Sequence, residues 1–459
     1  MIDILRLSSE RFHFDRRIFF AVYVLVGLPY LVLTGPFRAP DERNHFFRSY
    51  EISELRFHPF RVSSGPVGDN LPAGLSRLSE ALGDHSNHRL EASRLVEARN
   101  VTLQRERREF AEFSTAAYSP LAYAPSALSI AFGRVLGAGP LALVYFARAA
   151  NLLAGSWLIA CALSCAGYAR LPALLVALFP MTVSQVATVS ADAMSFGVAF
   201  LWIAFVLETA IAAPGEVTRN RKIALVLVAL ALSQLRPPYP VLAFLVLLVP
   251  VRKFGRMGPA FACAVIAAGL LPAAGWNSVA AKLYSKPDNG QRVEPREQLQ
   301  WVANHPGPFW HRVKLDLKKH GIDYWQQLVG RLGWLNIKLP RWTYAGCAVA
   351  LFVLTVSGSK KPPWPSPPQR AALGAIVLLG IVAIEFMLYL TFSGVSSPFI
   401  IGVQGRYFTA LAFLAAFAFS SSWVDLSRWN PGITAACLTV IGATHCSAYL
   451  ALARAAGKI

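Results

Sequence analysis

Hydrophobic residues along this chain come in long blocks, without the strict alternation of half-buried strands. About twelve apolar stretches are long enough, or nearly so, to cross a hydrocarbon core of about 30 Å. They lie at 18–35, 119–136, 141–167, 171–189, 192–213, 222–235, 238–251, 258–280, 341–357, 371–392, 406–423 and 432–452. The pattern predicts an all-α polytopic membrane protein, one integral membrane domain over 1–459 with about 11–13 transmembrane helices. Two long polar segments interrupt it, 36–118 and 281–340.

Basic residues orient the blocks. Arg6, Arg11, Arg16 and Arg17 precede the first stretch and mark its inner end. No small-residue cleavage site follows, so the stretch reads as a retained anchor. The 36–118 segment is then extracytoplasmic, and its mixed-charge helical periodicity over 80–112 predicts short helices without a core of their own. The basic run at 214–222 is placed inside, which puts Asp192 outside. That count requires one early stretch not to cross, and 119–136, interrupted by Pro120 and Pro125, is the candidate. The stretches at 222–235 and 238–251 form a short hairpin with Arg236 between them. An unpaired cation there costs several kcal/mol, so a carboxylate or a lipid phosphate is expected beside it. The second extracytoplasmic loop, 281–340, carries Trp301, Trp310, Trp325 and Trp334, with Trp342 just beyond, as a headgroup layer favours. No internal repeat marks an inverted-repeat transporter.

Composition agrees, with 55% hydrophobic residues and mean hydropathy +0.44. The net charge of +19 sits mostly in loops between apolar stretches, which points to membrane lipids and not to nucleic acid. The six cysteines fall in or beside apolar stretches with no C-x-x-C pair, as small buried hydrophobes do. His85-x-x-His88 has metal-ligand spacing, but no third ligand accompanies it, and a solvated face is the plainer reading.

The stretch from Gly35 to Ser53 stands out. Adjacent carboxylates, Asp41 and Glu42, follow Pro40 where the chain leaves the membrane, and His45, Arg48 and Glu51 follow at helical spacing. This predicts an amphipathic helix in the interface with its acidic end at the mouth of the bundle. Asp192, Arg236 and Arg406 are ionisable groups from other segments assigned to the same side. Arginine grips phosphate oxygens in a fork, and a carboxylate can take a proton from a hydroxyl or hold a divalent cation. Plainer roles exist for each: Asp192 as a helix cap, Arg236 as an ion-pair partner, Arg406 as an interfacial anchor. Glu208 and Glu385 remain unassigned.

Pro40-Asp-Glu-x-x-His-Phe-x-Arg-Ser-Tyr-x-Ile-Ser53 resembles the signature of the DUF2142 family of predicted bacterial membrane proteins. There the pattern is close to Pro-Pro-Asp-Glu-x-x-His-Phe-x-Arg-Ala-Tyr; here Ala39 and Ser49 depart from it. Gly402-Val-Gln-Gly-Arg-Tyr-Phe408 is similar to that family's second hallmark. The resemblance extends to the GT-C superfamily of polyprenyl-phosphate-dependent glycosyltransferases, and implies a GT-C-like fold. It implies catalytic roles for Asp41, Glu42 and Asp192, with Asp41 the general base. His45, Arg48, Arg236, Gln404, Arg406 and Tyr407 would bind substrate. The expected partners are a polyprenyl-phosphate lipid donor and a glycan or lipid-linked acceptor. A divalent cation, Mg or Mn, is the one cofactor considered, and the site would face the periplasm or exterior from the inner membrane. A flippase for a lipid-linked saccharide and a non-catalytic subunit of a cell-envelope polysaccharide complex are the alternatives.

Overall fold

The computed structural model describes residues 15–62, 65–83, 90–213, 217–284, 290–357, 365–421 and 430–457. His85-x-x-His88, Arg6 and Arg11 lie outside them. Asp15 caps helix α1 (Arg16–Leu33), its carboxylate accepting from the Arg17 backbone at 2.7 Å. Helix α2 (Glu42–Ser53) follows after a tight turn. Then come β1 (Phe60–Arg61), β2 (Val67–Pro72), α3 (Ala73–Leu82), α4 (Ala92–Asn100) and β3 (Arg108–Glu112). The strands form an antiparallel sheet in chain order, with Phe60 opposite Gly68 and Asp69 opposite Ala111.

The helical body begins with α5 (Ala124–Val135), α6 (Pro140–Ser164), α7 (Arg170–Ala177), α8 (Pro180–Val186), α9 (Asp192–Ile211) and α10 (Arg219–Ser233). A 3₁₀ helix at Tyr239–Leu248 leads to α11 (Gly258–Leu283), α12 (Pro295–Asn304), α13 (Pro306–Gly330) and α14 (Arg341–Val356). The chain continues with α15 (Pro367–Thr391), α16 (Thr409–Phe419) and α17 (Asn430–Ala455).

Among the described residues, six helices are long and apolar enough to cross a membrane: α1, α6, α9, α11, α15 and α17. The segments containing α7 and α8 make a seventh if that pair, bent by 76° at a break before Pro180, is one span. Other apolar stretches fold as shorter helices, at Tyr239–Leu248, Arg341–Val356 and Gly405–Phe419. This is a polytopic, essentially all-α membrane protein. The expected count of about 11–13 crossing helices resolves, among the described residues, into fewer full-length spans because the remaining apolar stretches form helices of 17 residues or fewer. With 12 residues, α5 is only about 18 Å long and falls short of the hydrocarbon thickness.

Helix α9 lies at the centre, buried over 78% of its most apolar window. In lipid, exclusion of water gains little between apolar helices, so packing and interhelical hydrogen bonds hold them together. Phe200 stacks on Phe413 at 4.0 Å between ring centres, and Trp202 Nε1 donates to the Leu242 carbonyl at 2.7 Å.

The 36–118 segment adds a small sheet to the expected short helices and packs on the bundle through a second hydrophobic cluster, in which Phe37, Phe46, Phe47 and Tyr50 meet Val67, Leu71, Leu75 and Leu78. Ile130 of α5 and Leu143 and Val144 of α6 close it. Helix α2 consequently does not lie in an interface with one face in lipid. It is buried on almost every side, because its charged residues find partners inside the protein. In the 281–340 segment, Trp310, Trp334 and nearby Trp342 remain exposed, while Trp325 turns inward and donates to the Tyr344 carbonyl at 3.2 Å. All six cysteines are free; Cys263 and Cys446 are exposed, a departure from the buried expectation.

Candidate active site

A tight turn sets the geometry. Arg38 N donates to the Gly35 carbonyl and Glu42 N to the Ala39 carbonyl, folding the chain sharply between α1 and α2. Asp41 at the head of α2 takes a left-handed backbone, φ 59° and ψ 10°. Aspartate tolerates that region better than most residues, at a cost of roughly 1–2 kcal/mol relative to the right-handed one. The turn sends the two neighbouring carboxylates to different partners.

Glu42 faces inward and is fully buried. Its Oε1 accepts from Arg148 Nε at 2.7 Å and the Val189 backbone at 3.0 Å. Its Oε2 accepts from Arg148 Nη2 at 2.6 Å and the Phe37 backbone at 2.9 Å. Arg148 spends its remaining donors on the carbonyls of Leu31, Thr34 and Gly35. This staple ties α1, α2, α6 and the start of the α8–α9 connection into one unit. It leaves Glu42 no open coordination toward a ligand.

Asp41 faces the other way, with its side chain 38% exposed. Its Oδ2 accepts from Arg406 Nη2 at 3.2 Å. Arg406 is buried and also donates to Asp192 Oδ2 at 3.2 Å, Gln185 Oε1 at 3.0 Å and Gln404 Oε1 at 2.7 Å. The other Asp192 oxygen accepts from Arg236, the buried cation for which a partner was expected. The guanidinium carbon of Arg236 lies 4.4 Å from the centre of the Tyr407 ring, and its Nε has no hydrogen-bond partner among the described residues. Two carboxylates and two guanidiniums thus converge from the turn before α2, the head of α9, the 234–239 junction and the 405–408 turn. Their formal charges cancel.

The turn carrying Arg406 depends on glycine. A Cβ at Gly405 would stand 2.1 Å from the Tyr324 carbonyl oxygen, and Gly402 has φ +88°. Gln327 on α13 accepts from the Gly405 backbone at 2.7 Å and locks the turn.

His45 sits one helical turn behind Asp41, buried, with Nδ1 2.8 Å from the Tyr123 hydroxyl. Burial, reinforced by Arg406 and Arg236 against the pull of Asp41 and Asp192, lowers its pKa to about 4. It is neutral near pH 7. Arg48 is outside the cluster: it pairs with Glu51 at 2.5 Å and donates to the Tyr118 carbonyl at 3.3 Å, as part of the framework.

The cluster is a poor cage for a resident divalent cation. Among the described residues no three His, Cys, Asp or Glu side chains converge, and Asp192 already faces guanidinium on both oxygens.

A family model described as a predicted membrane protein, DUF2142, matches residues 24–415. The chain belongs to that family. No curated protein and no solved structure matches it. The matched region of this DUF2142 protein contains both motifs and all four charged residues of the cluster. Sequence reasoning missed Arg148 and Gln185. Arg148 is a lone cation inside an apolar stretch, a signal that by itself asks for a buried partner. Gln185 arrives through the break between α7 and α8, of a kind that brings polar groups to sites inside membrane bundles.

Proposed function

We propose that this DUF2142 protein is a membrane glycosyltransferase of GT-C type. It transfers a sugar from a polyprenyl-phosphate donor to a glycan or lipid-linked acceptor, with its site on the extracytoplasmic side of the inner membrane. The observation that carries the reading is the open carboxylate of Asp41 held on Arg406, one residue away from the buried Asp192–Arg236 pair.

In this reading the acceptor hydroxyl oxygen bonds to the anomeric carbon while its proton passes to the Asp41 carboxylate. The bond from the anomeric carbon to the phosphate oxygen breaks, and its electron pair leaves with the polyprenyl phosphate. Arg406 and Arg236 neutralise that leaving group, exchanging aspartate contacts for phosphate oxygens. A phosphate drawing Arg406 away also releases Asp41 as a base at the moment one is needed. Tyr407 and Gln404 hold the guanidiniums in orientation, Asp192 keeps both arginines at the site when no phosphate is bound, and His45 supports the head of α2 as a neutral group.

The test is a lipid-linked oligosaccharide and surface-glycan profile of a deletion strain complemented with wild type or Asp41→Asn. A saccharide change that wild type reverses is expected to persist with Asp41→Asn, whose transfer rate falls by about 10²–10⁴-fold. Full restoration by Asp41→Asn removes the catalytic reading. A deletion strain that accumulates an unflipped lipid-linked saccharide, with transfer unaffected, selects transport instead.

A further inference from the structure

A cavity of about 320 Å³ lies between α13 and residues 398–403, beside the cluster and outside it. Small-ligand sites start near that size, about 300 Å³. Asp316, Lys319, His320 and Asp323 line one wall, and Phe399 and Ile401 the other. Phe399 is 54% exposed, a large ring left open at the rim.

The lining excludes some ligand classes. Its two cations and two carboxylates share the α13 wall, and all four are engaged: Asp316 accepts from the Tyr324 hydroxyl at 2.6 Å, and Asp323 accepts from Gln327 at 2.5 Å and pairs with Arg331. Arg312 donates to the Ser397 carbonyl at 2.6 Å and the Ser396 carbonyl at 3.2 Å, and lies over the Trp301 ring. Lys319 Nζ stands 5.5 Å from the centre of the Phe399 ring. No surplus of positive charge waits there for a phosphate, and charged groups along α13 rule out a trough for an acyl chain. Closely spaced donors and acceptors opposite an aromatic face suit a sugar, whose hydroxyls want the former and whose C–H face wants the latter.

The cavity adjoins the cluster along the chain. Gly402 and Val403 belong to its wall, and the next residues, Gln404 to Arg406, form the turn that holds Asp41. Gln327 lines it as well and fixes that turn through the Gly405 backbone. We infer that the cavity between α13 and residues 398–403 is the acceptor site, and that it takes an uncharged oligosaccharide segment whose reactive end reaches Asp41. The inference rests on the glycosyl-transfer reading and adds the acceptor's location and chemical class.

Two substitutions at exposed positions test it without disturbing the core: Phe399→Ala, which removes the stacking ring, and Leu315→Trp, which fills the cavity. Each goes into the deletion strain beside wild type and Asp41→Asn, with lipid-linked donor and surface glycan both profiled. The expected result is about a tenfold fall in product for both variants, a rise in the donor pool, and recovery with Phe399→Tyr. Normal product from Phe399→Ala and Leu315→Trp, with Asp41→Asn inactive, overturns the acceptor site and leaves glycosyl transfer standing. Normal product from Asp41→Asn overturns both.

Discussion

Two carboxylate–arginine networks begin at neighbouring residues and differ in completeness. The Glu42–Arg148 network is fully buried, and each carboxylate oxygen accepts two hydrogen bonds. The network of Asp41, Arg406, Asp192 and Arg236 is open at one end, where Asp41 meets solvent. It also leaves Arg236 Nε without a partner among the described residues. A saturated buried pair has nothing left to offer a substrate, whereas an incomplete one has groups to exchange. Chemical identity and adjacency are the same at 41 and 42; saturation separates structure from chemistry.

The strongest way to break this comparison is to remove the inner carboxylate. Glu42→Ala leaves the Arg148 guanidinium buried without its counter-ion, a loss of about 3–5 kcal/mol. The variant is expected to melt far below wild type in detergent, or to fail to accumulate in the membrane, whatever its activity. Asp41→Ala, its counterpart, is expected to melt near wild type. Similar melting of the two variants would contradict the division between staple and site.

A second effect comes from His45, buried beside the open network and within reach of the charges of Asp41, Asp192, Arg406 and Arg236. Its folded pKa of about 4 lies below the ordinary value of 6.5. The unfolded chain therefore binds a proton first as pH falls, so stability is lost between about pH 6.5 and 4 and is complete above that window. The loss approaches about 3 kcal/mol at the acid end. His45→Gln removes this term, so the melting temperature of wild type relative to that variant should fall steadily from pH 7 to pH 4. A constant gap would mean that the imidazole is hydrated, and that the site is wetter than its packing indicates.

Much of the fold was legible because membrane helices announce themselves by run length. The short sheet was not: β2 reads Val67-Gly-Asp-Asn-Leu-Pro72, a polar stretch whose pairing with β3 is decided by a partner some forty residues away. The orientation of α2 was misjudged for a related reason. Its charges predict a wet face, but Glu42 and Arg48 are neutralised inside the protein. At the site, the motifs and the buried cation located Asp41, Asp192, Arg236 and Arg406, which the fold does bring together. What the residues did not disclose is which of two adjacent carboxylates faces the opening. That depends on Arg148, 106 positions away in the chain, and on a left-handed turn.

That turn supplies the smallest and sharpest test. Asp41→Gly and Asp41→Ala both delete the carboxylate, its contact to Arg406 and any proton transfer, so they share every consequence of losing the functional group. They differ in backbone. Alanine pays the steric cost of φ 59° in full, while glycine adopts it freely. Asp41→Gly is therefore expected to be more stable than Asp41→Ala by about 1 kcal/mol in detergent melting, with both equally inactive. Glycine loses more entropy on folding, which works against the difference and sets its size. If alanine is the more stable of the two, the residue relaxes to a right-handed backbone once its carboxylate is gone. The aspartate would then hold the turn through Arg406, instead of being displayed by it.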